Sequence, residues 1–89
     1  MNNIPEFRRA FGYVLRTRRE MTGFTQPELA KKIGGSEINI RTLERSASSP
    51  SMVTFLLIAE ALGVDPKELL GEVLARIAFL KSSNTNQAK

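Results

Sequence analysis

Between Gly34 and Arg45 the chain reads GGSEINIRTLER, and there the polar side chains fall at helical spacing. At about 100° per residue, Ile38, Arg41, Thr42 and Arg45 gather on one side, and Ile40, Leu43 and Glu44 on the other. Guanidinium groups, a hydroxyl and an aliphatic side chain, with the Glu37 carboxylate in the first turn, suit the reading of hydrogen-bonding groups on a partner. Reaction chemistry has little to work with. The sequence has no histidine and no cysteine, so the commonest general base, thiolate ligands and disulfides are all missing. Its nine acidic residues are scattered, with no spaced pair beside a candidate pocket residue. Gly34-Gly35 lacks the preceding strand that a phosphate-binding glycine loop needs. The residues therefore predict no enzyme, no catalytic or metal site, no cofactor and no small-molecule substrate.

Charge points to the class of partner. The net charge is +4 over 89 residues. Residues 1–50 carry nine Lys/Arg against five Asp/Glu, while residues 51–89 carry four of each. All the excess positive charge lies in the first half, as one basic face for a polyanion would require. No apolar run approaches a membrane span, and MNNIPEFRR lacks the apolar stretch of a signal peptide, so a soluble, cytoplasmic protein without a membrane partner is expected.

The elements that must position the strip read as five short helices. The first is expected from about Pro5 to Thr22, stopped at Gly23, with Phe7, Phe11, Val14, Leu15 and Met21 on its apolar face. The second follows Thr25-Gln26-Pro27-Glu28, a Thr-x-x-Glu capping box, with Leu29, Ala30 and Ile33 inward. Ser36 caps the third, to about Arg45, and the loop Ser46–Pro50 follows. Ser51 caps the fourth, Met52 to Leu62, whose inward set reads Met52, Phe55, Ile58, Ala59 and Leu62. Asp65-Pro66-Lys67-Glu68 opens the fifth, to about Leu80, with Gly71 a weak point. Residues 1–81 are read as one domain and 82–89 as a disordered polar tail. Glu44 faces the core by angle and needs a cation there. Arg18 and Arg19 are both available, and Arg18 lies within the apolar stripe by angle.

Two short helices joined by a glycine-containing turn make a helix-turn-helix. TQPELAKKIGGSEINIRTLER followed by PSMVTFLLIAEALGVDPKELL resembles the Cro and phage-repressor (XRE-type) helix-turn-helix family over roughly residues 11 to 70. Gln26, Leu29, Ala30, Gly34, Ser36, Ile40, Leu43, Glu44, Pro50, Ile58, Ala59, Leu62 and Gly63 fall at family positions. The resemblance implies an all-α, five-helix lambda-repressor-like fold and a sequence-specific, DNA-binding transcriptional regulator of the phage-repressor or restriction–modification controller type. Positions matching Glu37, Ile38 and Thr42 then reach base edges, with Arg41 beside them. A glutamate can accept from cytosine N4, and an aliphatic side chain can pack on a thymine methyl. The DNA backbone falls to Arg16, Lys31, Lys32, Arg45 and Ser48, and to Thr25 and Gln26 through exposed N–H groups. The resemblance also points to Arg19 as the partner of Glu44. Departures are Gly35 for an aliphatic residue, Arg41 for a small polar one, Ser46 for a glycine, and a Ser46–Pro50 loop without the usual basic residues.

The second half carries more apolar surface than one small core uses. Val53 and Leu57 lie a turn apart off the inward face of the fourth helix, and the fifth carries Leu69, Leu70, Val73, Leu74, Ile77, Phe79 and Leu80. Such surface implies a partner. A two-fold homodimer through Val53, Leu57, Leu74 and Ile77 is expected, with reading helices about 34–36 Å apart on an inverted-repeat operator of double-stranded DNA. RNA polymerase is a further candidate partner. The alternative function is an antitoxin that binds a toxin protein through the apolar helix or the polar tail and controls its own operon.

Overall fold

The computed structural model describes residues 4–87, with side chains as far as residue 83. Five helices account for most of them: α1 (Phe7–Thr22), α2 (Gln26–Lys32), α3 (Glu37–Glu44), α4 (Met52–Leu62) and α5 (Pro66–Gln87). No strand occurs among the described residues.

Local chemistry sets the boundaries. Thr25 and Glu28 form a closed box: the Glu28 N–H donates to Thr25 Oγ1 at 3.2 Å and the Thr25 N–H to Glu28 Oε1 at 2.8 Å. Ser36 Oγ accepts the Asn39 N–H at 3.2 Å, and Ser51 Oγ accepts the Thr54 N–H at 3.0 Å. Asp65 Oδ1 accepts the Lys67 N–H at 2.8 Å. Gly23 and Gly63 end α1 and α4 at φ of 82° and 71°, where a side chain would be strained. The start of α1 differs from the expectation at Pro5. The Phe7 N–H closes on the Ile4 carbonyl at 3.0 Å, so Pro5 sits in a turn and the helix opens at Phe7.

α1 is the central element and packs against α3, α4 and α5. Phe11, Leu15, Leu29, Ile40, Leu43, Ile58, Leu69 and Val73 are fully buried. Each such side chain contributes about 1.5–3 kcal/mol through burial, enough to fix the short helices that could not persist alone. α5 joins the core through Leu69, Val73, Ile77 and Leu80. Outside it, the Arg76 guanidinium stacks over Tyr13 at 3.8 Å and Phe79 at 4.7 Å, and Arg18 binds Glu72 and Glu68, so charge also fastens α5 to α1.

Several expectations need correction. Met21 and Met52, read as inward, are both 71% exposed. Each stands at a helix end, where angular position is right but no neighbouring helix extends to cover it. Ile77, expected at a dimer interface, belongs to the buried row of α5, one turn after Val73. α5 runs past Gly71 and Leu80 to Gln87, longer than the expected end near Leu80; Ala88 and Lys89 lie outside the described residues.

Candidate nucleic-acid interface

α3 presents its two faces as its spacing demands. Ile40 and Leu43 are buried against the domain. Ile38 is 68% exposed, Arg41 is exposed, and Glu37 and Thr42 are half-buried. Arg41 Nη2 donates to Glu37 Oε2 at 2.8 Å, one turn away. The pair screens the carboxylate that would otherwise face a polyanion, while leaving acceptor sites on it. The Thr42 hydroxyl donates to the Ile38 carbonyl at 2.7 Å, which fixes its orientation. Gly35 does not cover Ile38; the nearest atoms to a Cβ built there belong to Ile33, at 3.6 Å.

The back of α3 is pinned to the scaffold by charge. Arg19 Nε donates to Glu44 Oε2 at 2.6 Å and Nη2 to Oε1 at 3.0 Å. Its third nitrogen, Nη1, donates to the Phe24 carbonyl at 2.8 Å, and the Gln26 amide reaches Glu44 Oε1 at 3.0 Å. The Glu44 side chain is only 4% exposed. The hydrogen bonds to Glu44 raise the Arg19 pKa above its ordinary value despite burial. Arg18 turns the other way, to α5.

This network narrows what the start of α2 can offer. The box consumes the Thr25 and Glu28 N–H groups, Pro27 has none, and one proton of the Gln26 side chain is committed to Glu44. The set of exposed N–H groups expected at Thr25 and Gln26 is thereby reduced to that of Gln26. Arg16 is exposed but shared with Glu20 at 3.4 Å. Ser48 is half-buried in the loop after α3.

Most of the cations without an acid partner fall in the first half of the chain. Among the described residues Arg8, Arg9, Lys31, Lys32 and Arg45 there, and Lys67 and Arg76 on α5, have no carboxylate at salt-bridge distance. The first five belong to α1, α2 and the end of α3. Lys32 Nζ lies 5.4 Å from the centre of the Phe24 ring. Arg8 and Arg9 were not among the expected contacts, and no motif marks them; their placement depends on how α1 packs on α3.

On α4 and α5, Val53, Leu57 and Leu74 are exposed as expected, and so are Leu56 and Leu70. Leu56 escaped the sequence reading, which followed the spacing of Val53 and Leu57 alone.

Residues 10–70 match the family model described as a helix-turn-helix domain. An uncharacterized HTH-type transcriptional regulator of Sinorhizobium fredii is 40% identical over 55 residues, 62% of this chain and 70% of that protein. The crystal structure of the clp gene regulator ClgR from Corynebacterium glutamicum superposes with a TM-score of 0.81 at 29% identity, covering 92% of this chain and 86% of that one. The restriction–modification controller protein C.AhdI from Aeromonas hydrophila gives a TM-score of 0.70 at 30% identity, over 78% of this chain and 99% of that one. With the capped α2–turn–α3 unit in place and Ile38 and Arg41 exposed on its second helix, the chain belongs to the helix-turn-helix family of transcriptional regulators.

Proposed function

We propose that the protein controls transcription by binding a specific double-stranded DNA operator, with α3 in the major groove. The observation that carries this reading is the capped α2–turn–α3 unit with Ile38 and Arg41 exposed on α3, in the half of the chain that holds all the excess positive charge. Glu37, Ile38, Arg41 and Thr42 read base edges. Glu37 accepts from a cytosine amino group, Ile38 packs on a thymine methyl, and Arg41 divides its donors between Glu37 and the duplex. Affinity comes from Lys31, Lys32 and Arg45, with Arg16, Ser48 and the remaining Gln26 N–H in supporting contacts.

The operator is an inverted repeat bound by a homodimer. Support comes from the exposed apolar side chains of α4 and α5, Val53, Leu56, Leu57, Leu70 and Leu74.

Selection of bound sites from random DNA tests the reading. Enrichment of a two-fold symmetric sequence is expected. Glu37→Ala and Thr42→Ala should each relax preference at one position per half-site, by about 1–3 kcal/mol for a direct base contact. No enrichment overturns the DNA reading. A sedimentation velocity profile that stays monomeric at micromolar concentration overturns the dimer.

A further inference from the structure

The loop between α3 and α4 has no lysine or arginine from Ser46 to Ser51. In the proposed complex it follows the reading helix, beside the DNA backbone, yet its own side chains bring no positive charge. α1 supplies what it lacks. Arg8 Nε donates to Ser49 Oγ at 3.4 Å and Nη1 to the Ala47 carbonyl at 3.3 Å, leaving Nη2 unengaged. Arg9, with Gly12, Arg16, Glu44, Ser46 and Arg76, lines a groove of about 270 Å³ that reaches the loop at Ser46. Gly12 makes this possible. A Cβ there would meet the Leu43 and Glu44 carbonyl oxygens at 2.8 and 2.9 Å, so α1 passes in backbone contact with the end of α3. Side chains one turn earlier on α1 therefore flank the loop.

A second, independent observation comes from the helix itself. Arg8 and Arg9 stand in the first turn of α1, which contains no acid. The amino-terminal end of a helix disfavours cations. Two arginines at that end, exposed and with no carboxylate at salt-bridge distance among the described residues although Glu6 is the N-cap, gain nothing from the helix terminus itself.

Resting on the DNA-binding reading above, we infer that Arg8 and Arg9 bind DNA phosphates over the Ser46–Ser49 loop, so that α1 provides the backbone clamp that the loop sequence omits. The test is the salt dependence of operator affinity for the full chain, measured between roughly 50 and 200 mM salt. Arg8→Gln and Arg9→Gln should each make the slope of log K against log[salt] shallower by about 0.9, which reduces the affinity lost across that range about threefold. Base preference should not change, and the thermal midpoint should not fall. Lys67→Gln, which removes the same charge from the start of α5, should leave the slope unmoved. Unchanged slopes in both arginine variants overturn the inference. A lower thermal midpoint with an unchanged slope makes Arg8 a brace for the loop and overturns it as well. Failure of the wild-type chain to enrich any DNA sinks the parent reading, and this one with it; enrichment together with flat variant effects sinks this one alone.

Discussion

Arg19 grips both carboxylate oxygens of Glu44, at 2.6 and 3.0 Å, and so ties the first helix to the back of the reading helix. Forked pairing of this kind combines charge with fixed geometry. Breaking it from one side leaves a cation among buried neighbours. Glu44→Ala should lower stability by about 3 kcal/mol, the scale for removing one partner of a buried pair. Chemical denaturation checks it, and an unchanged midpoint would show that the pair contributes nothing. Arg19→Lys should recover only part of the wild-type stability, because an ammonium cannot span both oxygens and the Phe24 carbonyl together.

Gly12 defines the second contact between α1 and α3. With the Leu43 and Glu44 carbonyl oxygens below 3.0 Å from any added Cβ, Gly12→Ala must push the two helices apart. The expected loss is about 1–3 kcal/mol, the range for overpacking. Amide chemical-shift changes should concentrate in α3. A variant as stable as wild type, with α3 unshifted, would contradict the close approach.

Ser46 occupies the left-handed region at φ 66°, directly after α3, with its N–H on the Leu43 carbonyl at 3.1 Å. A residue with a Cβ is strained there by about 1–2 kcal/mol, and glycine would relieve this while adding freedom to the unfolded chain. Ser46→Gly should therefore raise stability by about 0.5–1 kcal/mol net. Thermal melting provides the check; a lowered midpoint would mean that the hydroxyl contributes more than the strain removes.

Acid should loosen the attachment of α5 to α1. Hydrogen bonding to Arg18 holds the Glu72 carboxyl below its ordinary pKa, and Arg18 is correspondingly raised. A depressed carboxyl contributes stability that is complete above the unfolded-state glutamate pKa and is lost as pH falls through the folded-state value. Stability should decline across that acidic window. Glu72→Gln should be less stable than wild type near neutrality and flatter on acidification. Parallel pH profiles for the two proteins would remove Glu72 from the account.

Much of this architecture could be read in advance because it is written in local chemistry. The Thr25–Glu28 box, the Ser36 and Ser51 caps, Asp65, and the stops at Gly23 and Gly63 each act within a few residues of themselves. The faces of α3 followed from angle alone, since a short helix with two buried positions has one way to lie. Errors arose where a neighbour's extent decides the outcome. Met21 and Met52 lie on the correct faces but at uncovered ends. α5 is apolar on several sides, so spacing could not separate buried Ile77 from exposed Leu74. Arg8 became visible only once Gly12 had set the approach of α1 to α3. The N–H groups of α2 were overestimated because the Glu44 network and the capping box draw on the same few donors.

The exposed strip of α3 takes no part in the buried core. On the proposed DNA reading, exchanges at Ile38, Arg41 or Thr42 would therefore change which sequence is addressed without endangering the fold that presents them. In a lineage of such proteins, that separation would let operator preference drift quickly while the framework stays constant. For an engineer, it makes these three positions a natural site for a library.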